Sequence, residues 1–213
     1  PPRSLEFLAV FTEFNNPPSA RCGAVLVHAR WALTAAHCVP LLEGSRPVLV
    51  GTHSLSAAET GEDICVEKLM PAAVTKHPAY SSSTYENDIA LIEFAVPSTY
   101  SPIEYLAASG SLPPENMVVA GWGALGAEEP ALPDVPHRVE VQSVSSTSCA
   151  DSYARQRIYP DVMVCAAASG KDACYGDSGG PLFGYDLASG ERTLIGLVSF
   201  GEGCAQVYAL FST

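Results

Sequence analysis

The sequence predicts an all-β fold, a barrel or a sandwich, on three observations. Its apolar runs are short. Many alternate in polarity or carry β-branched residues. Turn residues, among them 17 Gly and 17 Pro in 213 residues, punctuate them throughout. The runs predict strands over 5–11, 24–28, 47–50, 88–94, 117–122, 138–144, 162–166 and 193–200. HRVEVQSV at 137–144 is the plainest alternation, with period-two placement of Val139 and Val141. One helix is expected over 147–156, after the capping candidates Ser145 and Ser146. The Pro-rich stretch 101–114 reads as a connector between two lobes.

At 47% hydrophobic, the chain can bury one core or two closely packed ones. It has no apolar run of membrane-spanning length. It opens with no basic-plus-apolar leader, and so reads as a mature or trimmed piece. With 23 acidic against 11 basic residues, the net charge is −12. Such a surface repels nucleic acid and anionic membranes and attracts cationic ligands. The seven cysteines (22, 38, 65, 149, 165, 174 and 204) contain no CxxC pair, which argues against a zinc site. Their spread favours an oxidising compartment, and the odd total leaves one thiol free or bonded to another chain.

Three pieces carry chemistry. KDACYGDSGGP at 171–181 crowds Gly176, Gly179 and Gly180 around Ser178. Glycine is entropically expensive, so this cluster marks a backbone that bends sharply or approaches something closely. TAAHC at 34–38 sets His37 beside a cysteine. NDIALIEF at 87–94 opens an apolar strand with a carboxylate, Asp88. Such a group stays in water or finds a buried partner, and a histidine N–H is a suitable one.

Chain order discriminates among mechanisms. Gly176-x-Ser178-x-Gly180 fits the nucleophile elbow of α/β-hydrolases, but that order needs a histidine after the serine, and all five precede it. Asp63, His77 and Ser178 satisfy a subtilisin-like order formally, without the helices that fold needs. His37, Asp88, Ser178 is the remaining order.

With GWG at 121–123, the motifs TAAHC, NDIAL and GDSGGP in this order resemble the trypsin-like serine proteases of the chymotrypsin family, over roughly 5–208. The resemblance implies a single peptidase domain over 1–213. Its two packed six-stranded antiparallel β-barrels would lie at about 1–100 and 115–213, joined by the connector at 101–114, with the C-terminal helix missing. It implies His37 as general base, Asp88 as its orienter and Ser178 as nucleophile, with the N–H groups of Gly176 and Ser178 forming an oxyanion hole. Asp172 then falls at the floor of the specificity pocket, lined by Ala173, Ser199 and Gly201, and cleavage after Arg or Lys follows. Phe200 stands where the family usually has Trp, and Tyr175 lies at the pocket rim. No cofactor and no metal is expected.

The resemblance also implies the disulfides Cys22–Cys38, Cys149–Cys165 and Cys174–Cys204. Met117 and Gly184 occupy the positions of a further family disulfide, absent here at both ends. Cys65 has no expected mate, leaving a bond to another chain or a pro-segment, or a buried free thiol. In the family a freshly cut N-terminus pairs with the residue matching Asp177. Here PPRS stands at the start instead of an Ile-Val-Gly-Gly-like sequence, and GCAQVY at 203–208 is several residues short. Thr52 replaces a calcium-ligand carboxylate, so Glu59, Glu62 and Asp63 read as a solvated acidic loop. Asn16 is followed by two prolines, so no glycosylation sequon arises. Two functional readings follow. One is a secreted, zymogen-derived endopeptidase acting on proteins or peptides. The other is a non-catalytic or zymogen-like protease-fold module with a binding or structural role in a larger assembly.

Overall fold

The computed structural model describes residues 5–13, 18–42, 46–105, 117–126, 132–153, 156–168, 173–185, 191–201 and 209–213. Its first sheet is built from β1 (Leu8–Glu13), β2 (Ser19–His28), β3 (Trp31–Thr34), β4 (Val48–Val50), β5 (Glu67–Leu69), β6 (Pro71–Lys76) and β7 (Ala90–Phe94). The order is β5-β4-β1-β2-β3-β7-β6. Only Met70 separates β5 from β6 in the chain, so the two ends of this order meet and the sheet closes as a six-stranded type of barrel.

The second sheet holds β8 (Glu104–Tyr105), β9 (Met117–Gly121), β10 (His137–Val144), β11 (Met163–Ala167), β12 (Pro181–Tyr185), β13 (Arg192–Phe200) and β14 (Ala209–Ser212). The order is β12-β9-β10-β11-β14-β13-β8, and an added β12–β13 pairing closes a ring of six strands. β8 is appended to β13 in parallel, so part of the predicted connector joins the sheet. Closure matters because an open edge of unpaired N–H and C=O groups would invite aggregation.

The strands form where side chains can be buried on one face. In β7 the burial alternates strictly, with Ala90, Ile92 and Phe94 inward. β1 opens with four apolar residues and is almost wholly buried, and β9 of the other barrel lies against it. Phe7 meets Phe183 edge to face, with centroids 5.4 Å apart, across that boundary. Ala120, Trp122, Leu194 and Leu197 join the same apolar cluster, so the barrels share a core where they touch.

Two helices differ from expectation. α1 (Leu55–Thr60) occupies part of the stretch read as an acidic loop. Its N-cap Ser54 accepts from the Ala57 N–H, and Gly61 ends it at φ 82°. Six residues are too few for apolar periodicity to show, and packing of Leu55 and Ala58 is what supports the helix. Asp63 accepts from the Thr52 hydroxyl at 2.9 Å and from the Cys65 N–H at 3.0 Å, which spends that carboxylate on the loop itself. α2 (Ser146–Ser152) starts one residue before the predicted span and stops four short of it, capped by Ser145.

Candidate functional site

His37 sits on a short 3-10 helix, Ala36–Leu42, directly after β3. Asp88 precedes β7, which pairs with β3, and strand pairing therefore carries the two side chains together. The Asp88 carboxylate is 0% exposed. His37 Nδ1 lies 2.7 Å from Oδ2, and the His37 backbone N–H donates to Oδ1 at 2.9 Å. Ser199 Oγ donates to Oδ2 at 2.6 Å. Three donors thus replace the water that a buried carboxylate loses.

The segment 174–180 is pinned from three sides. Gly23 N–H on β2 donates to the Ser178 carbonyl at 2.7 Å. Gly179 N–H donates to Val198 on β13, and Val198 N–H returns a bond to Gly180. Past the end of β9, Ala124 N–H donates to Tyr175. The disulfide Cys22–Cys38 links β2 to the 3-10 helix of His37. Elements of both barrels therefore converge on one cavity of about 210 Å³, lined by His37, Tyr85, Ser178 and Phe200, with Ala173, Ser199 and Gly201 also on its wall.

Gly176 has φ +99°, a conformation open to glycine, so its position in the cluster is a backbone requirement. Asp177 is buried and faces inward. Its Oδ1 accepts from the Gly123 N–H at 2.8 Å and its Oδ2 from the Cys174 N–H at 3.0 Å. Burial pushes its carboxyl above the ordinary range, against the pull of those two bonds and of His137. The GWG motif now has a reason. A Cβ at Gly121 or Gly123 would fall 2.3 or 2.2 Å from the Asp177 carboxylate oxygens.

Ser199 and Tyr85 carry more than the sequence reading assigned. Ser199, read as a pocket-lining residue, also holds Asp88. Tyr85, not singled out before, lies edge-on to His37 at 5.7 Å and tilted against Phe200 at 5.2 Å. It is held at φ 55°, two residues before Asn87 at φ 54°. Two left-handed non-glycine residues so close to Asp88 are the strain signal of a site, and no sequence pattern announces it. The nearby Tyr80 hydroxyl is pushed up to about 12 by burial and by the charges of Asp88 and Tyr85.

Cys149–Cys165 is formed as expected, and Cys174 is disulfide-bonded. Its expected mate Cys204 and the pocket-floor candidate Asp172 lie outside the described residues, as does 203–208. Met117 and Gly184 are cross-strand partners in β9 and β12, which matches the positions assigned to the absent disulfide. Cys65 has no disulfide partner among the described residues and is exposed, which corrects the buried alternative: Ile64 and Cys65 both face away from the core. Among the described residues, the single cluster with metal-ligand spacing is Cys22, His37 and Cys38, and its cysteines are already bonded to each other. No helix among the described residues is long and apolar enough to cross a membrane.

Comparison with known proteins agrees with this architecture. Serine proteinase stubble of Drosophila melanogaster is 36% identical over 203 residues, covering 91% of this chain and 25% of that protein. Trypsin-1 of Astacus astacus is 36% identical over 196 residues, covering 87% of this chain and 78% of that protein. Against mannan-binding lectin serine protease 1 of Mus musculus, the chain is 30% identical and spans 31% of the relative's length. The solved structure of neuropsin, a serine protease expressed in the limbic system of mouse brain, superposes with a TM-score of 0.81 at 26% identity, covering 100% of this chain and 91% of that one. A family model described as Trypsin matches residues 2–212. The chain belongs to the trypsin family of serine proteases.

Proposed function

We propose that this chain is a secreted serine endopeptidase, made as a zymogen, which cleaves after Arg or Lys through an acyl-enzyme. The observation that carries the reading is the buried Asp88 carboxylate bonded to His37 Nδ1, with the imidazole opening onto the cavity that Ser178 lines. A proton on Nδ1, shared with Asp88, leaves Nε2 as the acceptor facing that cavity.

In this mechanism Nε2 takes the Ser178 hydroxyl proton as Oγ bonds to the scissile carbonyl carbon. The carbonyl π pair moves onto oxygen, and the N–H groups of Gly176 and Ser178 stabilise that charge. His37 then delivers its proton to the leaving amine as the C–N bond breaks, and the acyl group stays on Oγ. Water repeats the sequence with His37 as base, freeing the acid and restoring the hydroxyl. Asp88 keeps its charge throughout and stabilises the transient imidazolium.

Asp172 would bind the substrate cation, with Ala173, Ser199 and Gly201 lining the pocket. An uncharged competitor leaves that carboxylate desolvated and unpaired, a difference on the order of 10⁴ in such sites. Asp177, buried beside backbone donors with its carboxyl pushed up, is suited to an ammonium from a cut N-terminus, which would favour its charged form. The disulfides suit an extracellular setting. Exposed Cys65 suits a bond to another chain or a pro-segment, and non-reducing mass analysis of protein from its native source tests that bond.

A fluorophosphonate probe tests the core of the reading. Stoichiometric labelling of the wild type, lost in Ser178→Ala along with roughly a millionfold of turnover, supports it. Absence of labelling in the natively processed protein favours a non-catalytic binding or structural module. Equal turnover of Phe and Arg esters would overturn the Arg/Lys preference alone.

A further inference from the structure

Asp134 lies in the segment between β9 and β10, yet its partners belong to the other barrel. Ser54 Oγ donates to Oδ2 at 2.6 Å, and the Ser56 N–H donates to Oδ1 at 2.7 Å. The Leu55 N–H donates to its carbonyl at 3.0 Å. These donors are the cap and first turn of α1, which is anchored in the first barrel through buried Leu55 and Ala58. Burial of the Asp134 carboxyl is outweighed by the Ser54 and Ser56 bonds and by His53, so the group lies below the ordinary range.

Two residues earlier the same segment reaches the site. A Cβ placed on Gly176 would meet Leu132 Cδ2 at 3.2 Å and Gly123 Cα at 3.2 Å. Leu132 and Gly123 thus wall Gly176 where it lacks a side chain. Pro133 and Pro136 bracket Asp134, and each restricts φ, so the link from the clasp to the wall is short and stiff. A glycine at φ +99° rotates its peptide at little steric cost, so beyond the 2.8 Å bond from the Ala124 N–H to the Tyr175 carbonyl of that same peptide it depends on its walls, and rotation would turn the N–H away from the cavity.

We propose that Asp134 is a positioning residue: by clasping the first turn of α1 it holds Leu132 against Gly176 and keeps that N–H directed at the developing oxyanion. The inference rests on the serine-protease reading above. Asp134 itself touches neither substrate nor reacting atoms.

The test uses the full natively processed chain, with Asp134→Ala, Asp134→Asn, Leu132→Ala and the double variant Asp134→Ala/Leu132→Ala. Ester turnover is normalised to phosphonate-titrated sites, and exchange of the Gly176 amide proton is followed by NMR. Removing an oxyanion donor outright costs on the order of 10²–10³ in kcat. Loosening one should lower kcat about tenfold in Asp134→Ala, with KM within about twofold and faster Gly176 exchange. Asp134→Asn should restore both, since its amide oxygen accepts from Ser56 and its NH₂ donates to Ser54 Oγ. Leu132→Ala should match Asp134→Ala, and the double variant should add little, as for residues acting through one contact. Wild-type kcat per titrated site in Asp134→Ala, an effect on KM or melting temperature alone, or equal losses in Ala and Asn would overturn the proposal. If the wild type is never labelled, the protease reading fails separately. Gly176 exchange then decides: faster in Asp134→Ala supports the clasp, and unchanged overturns it.

Discussion

Gly23→Ala should uncouple the barrels at the point where they hold Ser178. A Cβ at Gly23 would sit 2.8 Å from Gly180 Cα and 2.9 Å from Gly180 N. Carbon–carbon contacts are comfortable at about 3.5–4.0 Å, so the overlap is about 0.7 Å or more. Both sides are backbone. β2 is locked to β1 and β3 by its ladders, and Gly180 is bonded to Asp177 and Val198. Neither can yield alone, so the expected loss is about 1–3 kcal/mol, the usual range for overpacking. The 2.7 Å bond from Gly23 N–H to the Ser178 carbonyl stretches with it. A displacement approaching 1 Å at a reacting group costs on the order of 10²-fold. The control is Gly61→Ala, where nothing lies within 4 Å of the new Cβ but φ is +82°. That change should cost about 1–2 kcal/mol of backbone strain and leave activity intact. Urea unfolding and phosphonate labelling rates measure both. A Gly23→Ala protein with wild-type midpoint and labelling rate would refute the steric argument.

Ser199→Ala removes one charge-assisted bond from a carboxylate with no access to water, and should cost about 1.5–3 kcal/mol in urea unfolding while slowing phosphonate labelling. Tyr85→Gly should be more stable than Tyr85→Ala by about 1 kcal/mol, because both lose the contacts to His37 and Phe200 but only alanine keeps the left-handed strain; matched denaturation curves would check this. Burial of the Glu67 carboxyl is outweighed by bonds from Ser98 and Thr99, so its folded value lies below the ordinary 4.5. A depressed folded value adds stability above the unfolded one, lost as pH falls through the folded value. Glu67→Gln should therefore be less stable at pH 7, with the gap closing below about pH 4 in thermal melts.

The strongly patterned elements were legible before any coordinates. The predicted strands at 47–50, 138–144 and 193–200 match β4, β10 and β13 within about a residue, β10 because its polarity alternates and β4 and β13 because they are short apolar runs, buried along most of their length and ended by glycine. The weaker elements were not. β6 has no buried residue and its sequence PAAVTK shows no apolar face, so it is a strand through pairing with β7. α1 is six residues long and depends on packing. The motif residues His37, Asp88 and Ser178 were found through their order and their neighbours. The glycines of GWG were found as a pattern, and only the Asp177 carboxylate lying against them supplies the reason.

From the sequence alone came the all-β class, the trypsin-family resemblance and the chemistry-bearing side chains, whereas the disulfide pairs were implied only through that resemblance. These depend on residue type and local order, which a linear chain records. The tertiary structure alone decided that Ser199 holds Asp88, that Tyr85 stands between His37 and Phe200, and that Asp134 reaches α1 across the barrel boundary. Those relations join residues 48 to 115 positions apart in the chain. Hydrogen bonds and steric contacts act over a few ångströms, and only the closing of both barrels brings such residues within that range.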